Sequence, residues 1–170
     1  LAVDGTVAVT TNGSGNATLV NDAGLNFAAS TVRGNLAATA TTGNMTDSGA
    51  LAITGTSSFT TSANNATIAL NTTTNAFTGA VTITTNDNSG TDAAVIIDGG
   101  TTALIIAAST IDGNLTLTSG ATAGITDSGT VTVGGDLAAT TDAGNGVIDM
   151  DTLAVDGSIA LVTNGNGAAT

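Results

Sequence analysis

The chain alternates apolar and small polar residues with a period of two, in short runs that open just after a glycine. Gly34-Asn35-Leu36-Ala37-Ala38-Thr39-Ala40 is the clearest run, and similar runs open at Gly5, Gly55, Gly79, Gly113, Gly135 and Gly157. Two positions after these glycines stand Val7, Leu36, Ser57, Val81, Leu115, Leu137 and Ile159. Two further on come Val9, Ala38, Phe59, Ile83, Leu117, Ala139 and Leu161. One apolar face at period two predicts half-buried strands. Recurrence every 21–34 residues predicts stacked coils, none large enough to bury its own face.

The glycines are spaced by 29, 21 and 24 residues, then by 34, 22 and 22. Three coils therefore make a super-repeat, over about 5–78 and again over about 79–156. Ala29-Ser30-Thr31-Val32 returns as Ala108-Ser109-Thr110-Ile111, and Thr46-Asp47-Ser48-Gly49 as Thr126-Asp127-Ser128-Gly129. The excess length of the 34-residue interval falls near Asn86 to Asp92, where it reads as a loop insertion. Inward residues on the other sides of each coil are Met45, Leu51 and Ile53, matched by Ile125, Val131 and Val133. Ile68 and Leu70 correspond more loosely to Val147 and either Ile148 or Met150. A coil of roughly 22 residues with three short strands is the size of one turn of a parallel β-helix. The expected fold is all-β: a β-solenoid of about seven coils, roughly 30–40 Å long at strand spacing. No segment reads as a helix, which disfavours an α/β leucine-rich repeat. Residues 153–170 restate residues 1–18 with 12 identities, so 1–170 is expected to be one solenoid segment of a longer repetitive chain.

Composition sharpens this picture. The 170 residues contain 13 Asp, one Arg and no Glu, Gln, Lys, His, Pro, Cys, Trp or Tyr. Most strong helix formers are missing, and Thr, Val, Ile, Gly, Asn and Asp suit strands joined by tight turns. A hydrophobic content of 41% is too high for a disordered acidic tail. A net charge of −12 with a single cation argues against nucleic acid or an anionic membrane as partner. No apolar run approaches a membrane span.

Segments such as Ser30-Thr-Val-Arg-Gly-Asn-Leu, Asn75-Ala-Phe-Thr-Gly-Ala-Val-Thr-Ile and Ile125-Thr-Asp-Ser-Gly-Thr-Val-Thr-Val resemble the repeats of filamentous-haemagglutinin-type exoproteins. These are large β-helix adhesins of bacterial two-partner secretion. The resemblance implies a right-handed parallel β-helix, in line with the general topological preference. It also implies an extracellular or cell-surface location and an adhesive or shaft role. It carries no site over to a numbered residue, because such repeats form the shaft.

The residue inventory leaves little room for catalysis. Triads and thiol nucleophiles are unavailable, and an Asp pair for glycoside hydrolysis would lack the basic and aromatic groups that hold a sugar. No cofactor is expected. Calcium is the one metal with a candidate: Asn86-Asp87-Asn88-Ser89-Gly90-Thr91-Asp92 clusters oxygens around a glycine, with Asp87, Ser89 and Asp92 as ligands. The plainer reading of that stretch is a solvated turn. Asp149 and Asp151 share a strand face and read as surface carboxylates. Stacking on the glycines sets Asp4 beside Arg33 as a surface ion pair. It also aligns Thr10, Thr39, Thr60, Thr84, Thr118 and Thr140 in one outward row, broken by Val162. In register such a row packs methyl to methyl and shares hydroxyl hydrogen bonds. An ice-binding face would need a second threonine row, and Ala8, Ala37, Ala138 and Ala160 interrupt it. Asn-x-Ser/Thr sequons occur at Asn12, Asn16, Asn44, Asn65, Asn71 and Asn114.

These features point to a non-enzymatic structural shaft of a large secreted or surface adhesin or fibre. Its expected partners are neighbouring repeats or copies of itself, with host or neighbour-cell glycans contacted through other regions. A filament of subunits stacked head to tail is the alternative, and a calcium-, glycan- or ice-binding surface a lesser one.

Overall fold

In the computed structural model all strand pairs are parallel, and the described residues form 21 strands and no helix. The structure describes residues 1–86, 88, 93–142 and 144–170. The strands wind about one axis in about seven turns, so the fold is a parallel β-solenoid. Hydrogen bonds run along the axis from each coil to the next.

One stack of strands runs the whole length: Thr6–Val7, Leu25–Phe27, Met45–Asp47, Ile68–Leu70, Val95–Asp98, Leu115–Ser119, Leu137–Thr141 and Ile159–Val162. A second stack holds Ala17–Asn21, Leu36–Ala40, Ser57–Thr61 and Val81–Thr84. A third, shorter stack holds Ser30–Val32, Leu51–Ile53 and Ala76–Phe77. Alternation in burial follows the expected period: Leu36, Ala38 and Ala40 are buried, with Ala37 exposed and Thr39 half-buried. The interior is one continuous apolar column from Leu25 to Met150. Phe27, Phe59 and Phe77 enter it from the three different stacks and meet edge to face, with centroids 6.5 and 5.9 Å apart. In the later coil Ile148 and Met150 point inward and Val147 is exposed, which settles that register.

The glycine column does not run the length of the rod as the spacing suggests. Gly34 stacks on Gly15, not on Gly5: its N–H donates to the Gly15 carbonyl at 3.0 Å, and Leu36 faces Ala17. Val7 instead faces Phe27. Likewise Gly113 donates to the Ala93 carbonyl, and Leu115 faces Val95 and not Val81. Among the described residues the 29- and 34-residue intervals therefore each hold four strands, more than one full turn. Among the described residues the long, four- to five-residue strands form two blocks of four. The first block is the second stack, from Ala17 to Thr84; the second occupies the first stack from Val95 to Val162.

Where the blocks meet, the long side Val81–Thr84 splits. Its start faces Ile106, its end faces Thr110, and two lines of short strands continue from there. One line is Leu104–Ile106, Ile125–Asp127 and Ile148–Asp149; the other is Ser109–Ile111, Val131–Val133 and Leu153–Val155. The same split occurs at the start of the chain, where Val7 faces Phe27 and Thr10 faces Thr31. Equivalent strands of 5–78 and 79–156 thus lie on different sides of the rod.

Candidate functional site

The coil-start glycines are needed for space. None of Gly34, Gly55, Gly79, Gly135 and Gly157 has positive φ. A Cβ on Gly55 would overlap Asn35 Oδ1 and the Gly34 carbonyl; one on Gly135 would overlap Asn114 Oδ1. Those side-chain oxygens bind the next coil. Asn16 Oδ1 accepts the N–H of Asn35 at 2.8 Å, and Asn35 Oδ1 accepts that of Thr56 at 2.9 Å. Asn114 Oδ1 accepts the N–H of Asp136 at 2.8 Å, and Asp136 Oδ1 accepts both the N–H and hydroxyl of Ser158. The Gly-Asn pair is therefore a ladder: each Asn clips the coil above, and each Gly makes room for the clip below. Positive φ occurs elsewhere, at Gly13, Gly100, Gly124, Gly144 and Gly165 and at Asn65 and Asn145.

Aspartates do similar work at the other corners. Asp47 accepts the N–H groups of Asn71 and Thr72 and, at 2.6 Å, the side-chain amide of buried Asn75. Asn75 Oδ1 in turn accepts the N–H of Leu51 at 2.8 Å. Asp127, which follows the same turn motif, accepts the N–H groups of Asp151 and Thr152. The two Ser158 bonds, backbone first, hold the Asp136 carboxyl below the usual range. Burial raises that of Asp98, against a lowering bond from the Gly100 N–H and with smaller raising contributions from Asp142 and Asp47.

The residues singled out from the sequence are distributed as follows. Asp87, Ser89 and Asp92, the calcium candidates, lie outside the described residues. Of their neighbours, Asn86 Nδ2 donates to the Ser62 carbonyl, and Asn88 N–H to Asn64 Oδ1. Among the described residues no three acidic side chains converge to hold a metal. Asp149 and Asp151 are both exposed, and Asp149 accepts the Thr170 hydroxyl. Asp4 and Arg33 do not face each other. Asp4 precedes a strand of the first stack, whereas Arg33 precedes one of the second and donates its N–H to Thr11 Oγ1. The threonine row is broken in two for the same reason. One part runs Val20, Thr39, Thr60, Thr84; the other runs Asp98, Thr118, Thr140, Val162. Among the described residues no hydroxyl hydrogen bond joins neighbouring threonines of either part, so the rows contribute methyl packing.

An open pocket of about 300 Å³ lies beside the first coils, lined by Val3, Asp4, Leu25, Asn26, Asn44 and Thr46 among others. Asn26 Oδ1 is buried there without a hydrogen-bond partner. Its lining brings together no nucleophile and base. Among the described residues no helix is long and apolar enough to cross a membrane.

The comparisons with known proteins fit this geometry. Residues 14–84 match a family model described as repeats of unknown function (DUF5649). That span opens just before the first strand of the long-strand block, Ala17–Asn21, and closes at the end of its fourth, Val81–Thr84. No curated protein and no solved structure matches the chain. The repeat match and the stacked parallel strands together fit a repeat-built β-solenoid.

Proposed function

We propose that the chain is a structural shaft segment without enzymatic activity, belonging to a large secreted or cell-surface adhesin or fibre. The observation that carries this reading is the single apolar column from Leu25 to Met150, wrapped by coils whose hydrogen bonds run along the axis. Such a rod resists bending and extension along its length, because every coil is tied to the next by main-chain ladders and side-chain clips. Its −12 charge keeps neighbouring rods soluble and apart. The expected partners are adjoining repeats along the axis, with glycan contacts made by other regions.

The test is the denatured mass of the native polypeptide and the fraction that contains it. Recovery from the culture medium or cell surface, at a mass far above 16.0 kDa, supports the shaft. An intracellular polypeptide overturns it. A secreted chain near 16.0 kDa would replace it with end-to-end assembly of a small subunit.

A further inference from the structure

The segment Ala28-Ala29-Ser30-Thr31-Val32 and its return, Ala107-Ala108-Ser109-Thr110-Ile111, sit at the two places where a long side splits. At the later split Val81 faces Ile106 and Thr84 faces Thr110, so three steps on one strand oppose four on the other. That is a β-bulge, with one extra residue between Ile106 and Thr110. At the earlier split Val7 faces Phe27 and Thr10 faces Thr31, with the same count.

A bulge leaves the partner strand without a main-chain acceptor, and a serine supplies it each time. The Ile83 N–H donates to Ser109 Oγ at 2.9 Å, and Ser109 Oγ donates to the Ala107 carbonyl at 2.8 Å. The Val9 N–H donates to Ser30 Oγ at 3.0 Å, and Ser30 Oγ donates to the Ala28 carbonyl at 2.8 Å. Both serines are buried. A threonine on the opposing strand completes each seam: Thr85 Oγ1 accepts the Asp112 N–H, and Thr11 Oγ1 accepts the Arg33 N–H, both at 3.0 Å. An inward hydroxyl here is otherwise hard to explain in an aliphatic column, because a buried polar group without a partner is costly.

We propose that these Ala-Ala-Ser-Thr-aliphatic segments are phase-step elements, in which Ser30 and Ser109 are the positioning residues. Each segment splits the long side it meets into two short ones. The neighbouring short side then lengthens and becomes the new long face. A rod with one segment per super-repeat turns its threonine-bearing face stepwise round the axis and presents it in different directions along its length. The Ile148–Ala169 bridge fits a further step, since Ala169 occupies the position of Ala17 in the restated sequence.

Two experiments test this. In Ser109→Ala, amide exchange at Ile83 rises roughly fivefold to tenfold relative to Leu117, and Ser109→Thr keeps it slow. Unchanged exchange at Ile83 overturns the serine's role. Separately, residues 79–112 are replaced by a second copy of 55–78, which carries no such segment. In the native chain, spin labels at Ile96→Cys and Thr116→Cys broaden each other, and labels at Thr82→Cys and Thr116→Cys do not. In the chimaera, a label at the copied Ser58 position broadens the label at Thr116→Cys. Absence of that coupling, or failure of the chimaera to fold, overturns the segment as the phase-step element, because an ordinary coil in its place would stack.

Discussion

Asn35 Oδ1 accepts the Thr56 N–H at 2.9 Å from the space that a Cβ on Gly55 would fill. The two positions are therefore coupled across coils, although 20 residues separate them. Gly55→Ala forces its Cβ against both the amide of Asn35 and the Gly34 carbonyl, and is expected to cost about 2 kcal/mol or more. Asn35→Ala loses one exposed hydrogen bond, about 0.5–1 kcal/mol. The double variant is expected to lose less than the sum, because removing the amide clears part of the clash. Urea midpoints of the four proteins measure the coupling, and strict additivity would show that the side chain does not occupy that space.

Asn75 is a second such tie, placed inside the core. It is 1% exposed and joins Leu51 N–H, Leu70 carbonyl and Asp47 carboxylate, three groups on two coils. Asn75→Leu leaves the Leu51 N–H buried and unpaired and strips Asp47 of its shortest bond. The expected loss is about 2–3 kcal/mol by urea unfolding. Asn71→Ala, at an exposed position that offers Asp47 only its backbone N–H, is expected to change stability by less than about 0.5 kcal/mol.

These ties mark the limit of what the sequence made legible. The strand period, the inward-facing residues Leu36, Val81, Leu115 and Leu137 and the coil size were readable, because burial imposes period two on every side alike. For the same reason the stacking order was not. Gly5-Thr6-Val7 and Gly34-Asn35-Leu36 look alike, yet Val7 faces Phe27 and Leu36 faces Ala17. A local pattern fixes which face is buried, and says little about which strand lies beneath. Two signals did point to the answer. The 29- and 34-residue intervals are too long for one coil, and Gly15-Asn16-Ala17 already has the form of Gly34-Asn35-Leu36. The side-chain clips were legible only as a preference for Asn after Gly. Their partner is a backbone N–H about 20 residues on, and a backbone group leaves no mark in the sequence.

Ser57 interrupts the inward column between Leu36 and Val81, and its buried hydroxyl has no hydrogen-bond partner. It contrasts with Ser30 and Ser109, whose hydroxyls serve a bulge. Ser57→Ala removes a desolvated polar group and little volume, so stability is expected to rise by about 1 kcal/mol. A drop in the urea midpoint of the variant would mean that the hydroxyl makes a bond that stabilises the native state.

Two carboxylates respond to pH in opposite ways. The Asp136 carboxyl is held low by the Ser158 N–H and hydroxyl, so its contribution is present above the ordinary carboxylate range and is lost as pH falls through its lowered value. Asp136→Asn keeps an oxygen for Ser158, just as Asn114 serves Asp136, and is expected to weaken that acid loss. The Asp98 carboxyl is raised chiefly by burial, so its contribution is fully present below the unfolded value and is lost as pH rises through the raised one. Asp98→Asn retains an acceptor for the Gly100 N–H without the buried charge. That variant is expected to be more stable than the parent at about pH 7, with the difference shrinking toward about pH 3 as the parent carboxyl protonates. Urea midpoints across this range separate the two residues. A stability gain in Asp98→Asn that did not change with pH would show that the substitution acts through packing, and that burial of the Asp98 charge costs the fold nothing.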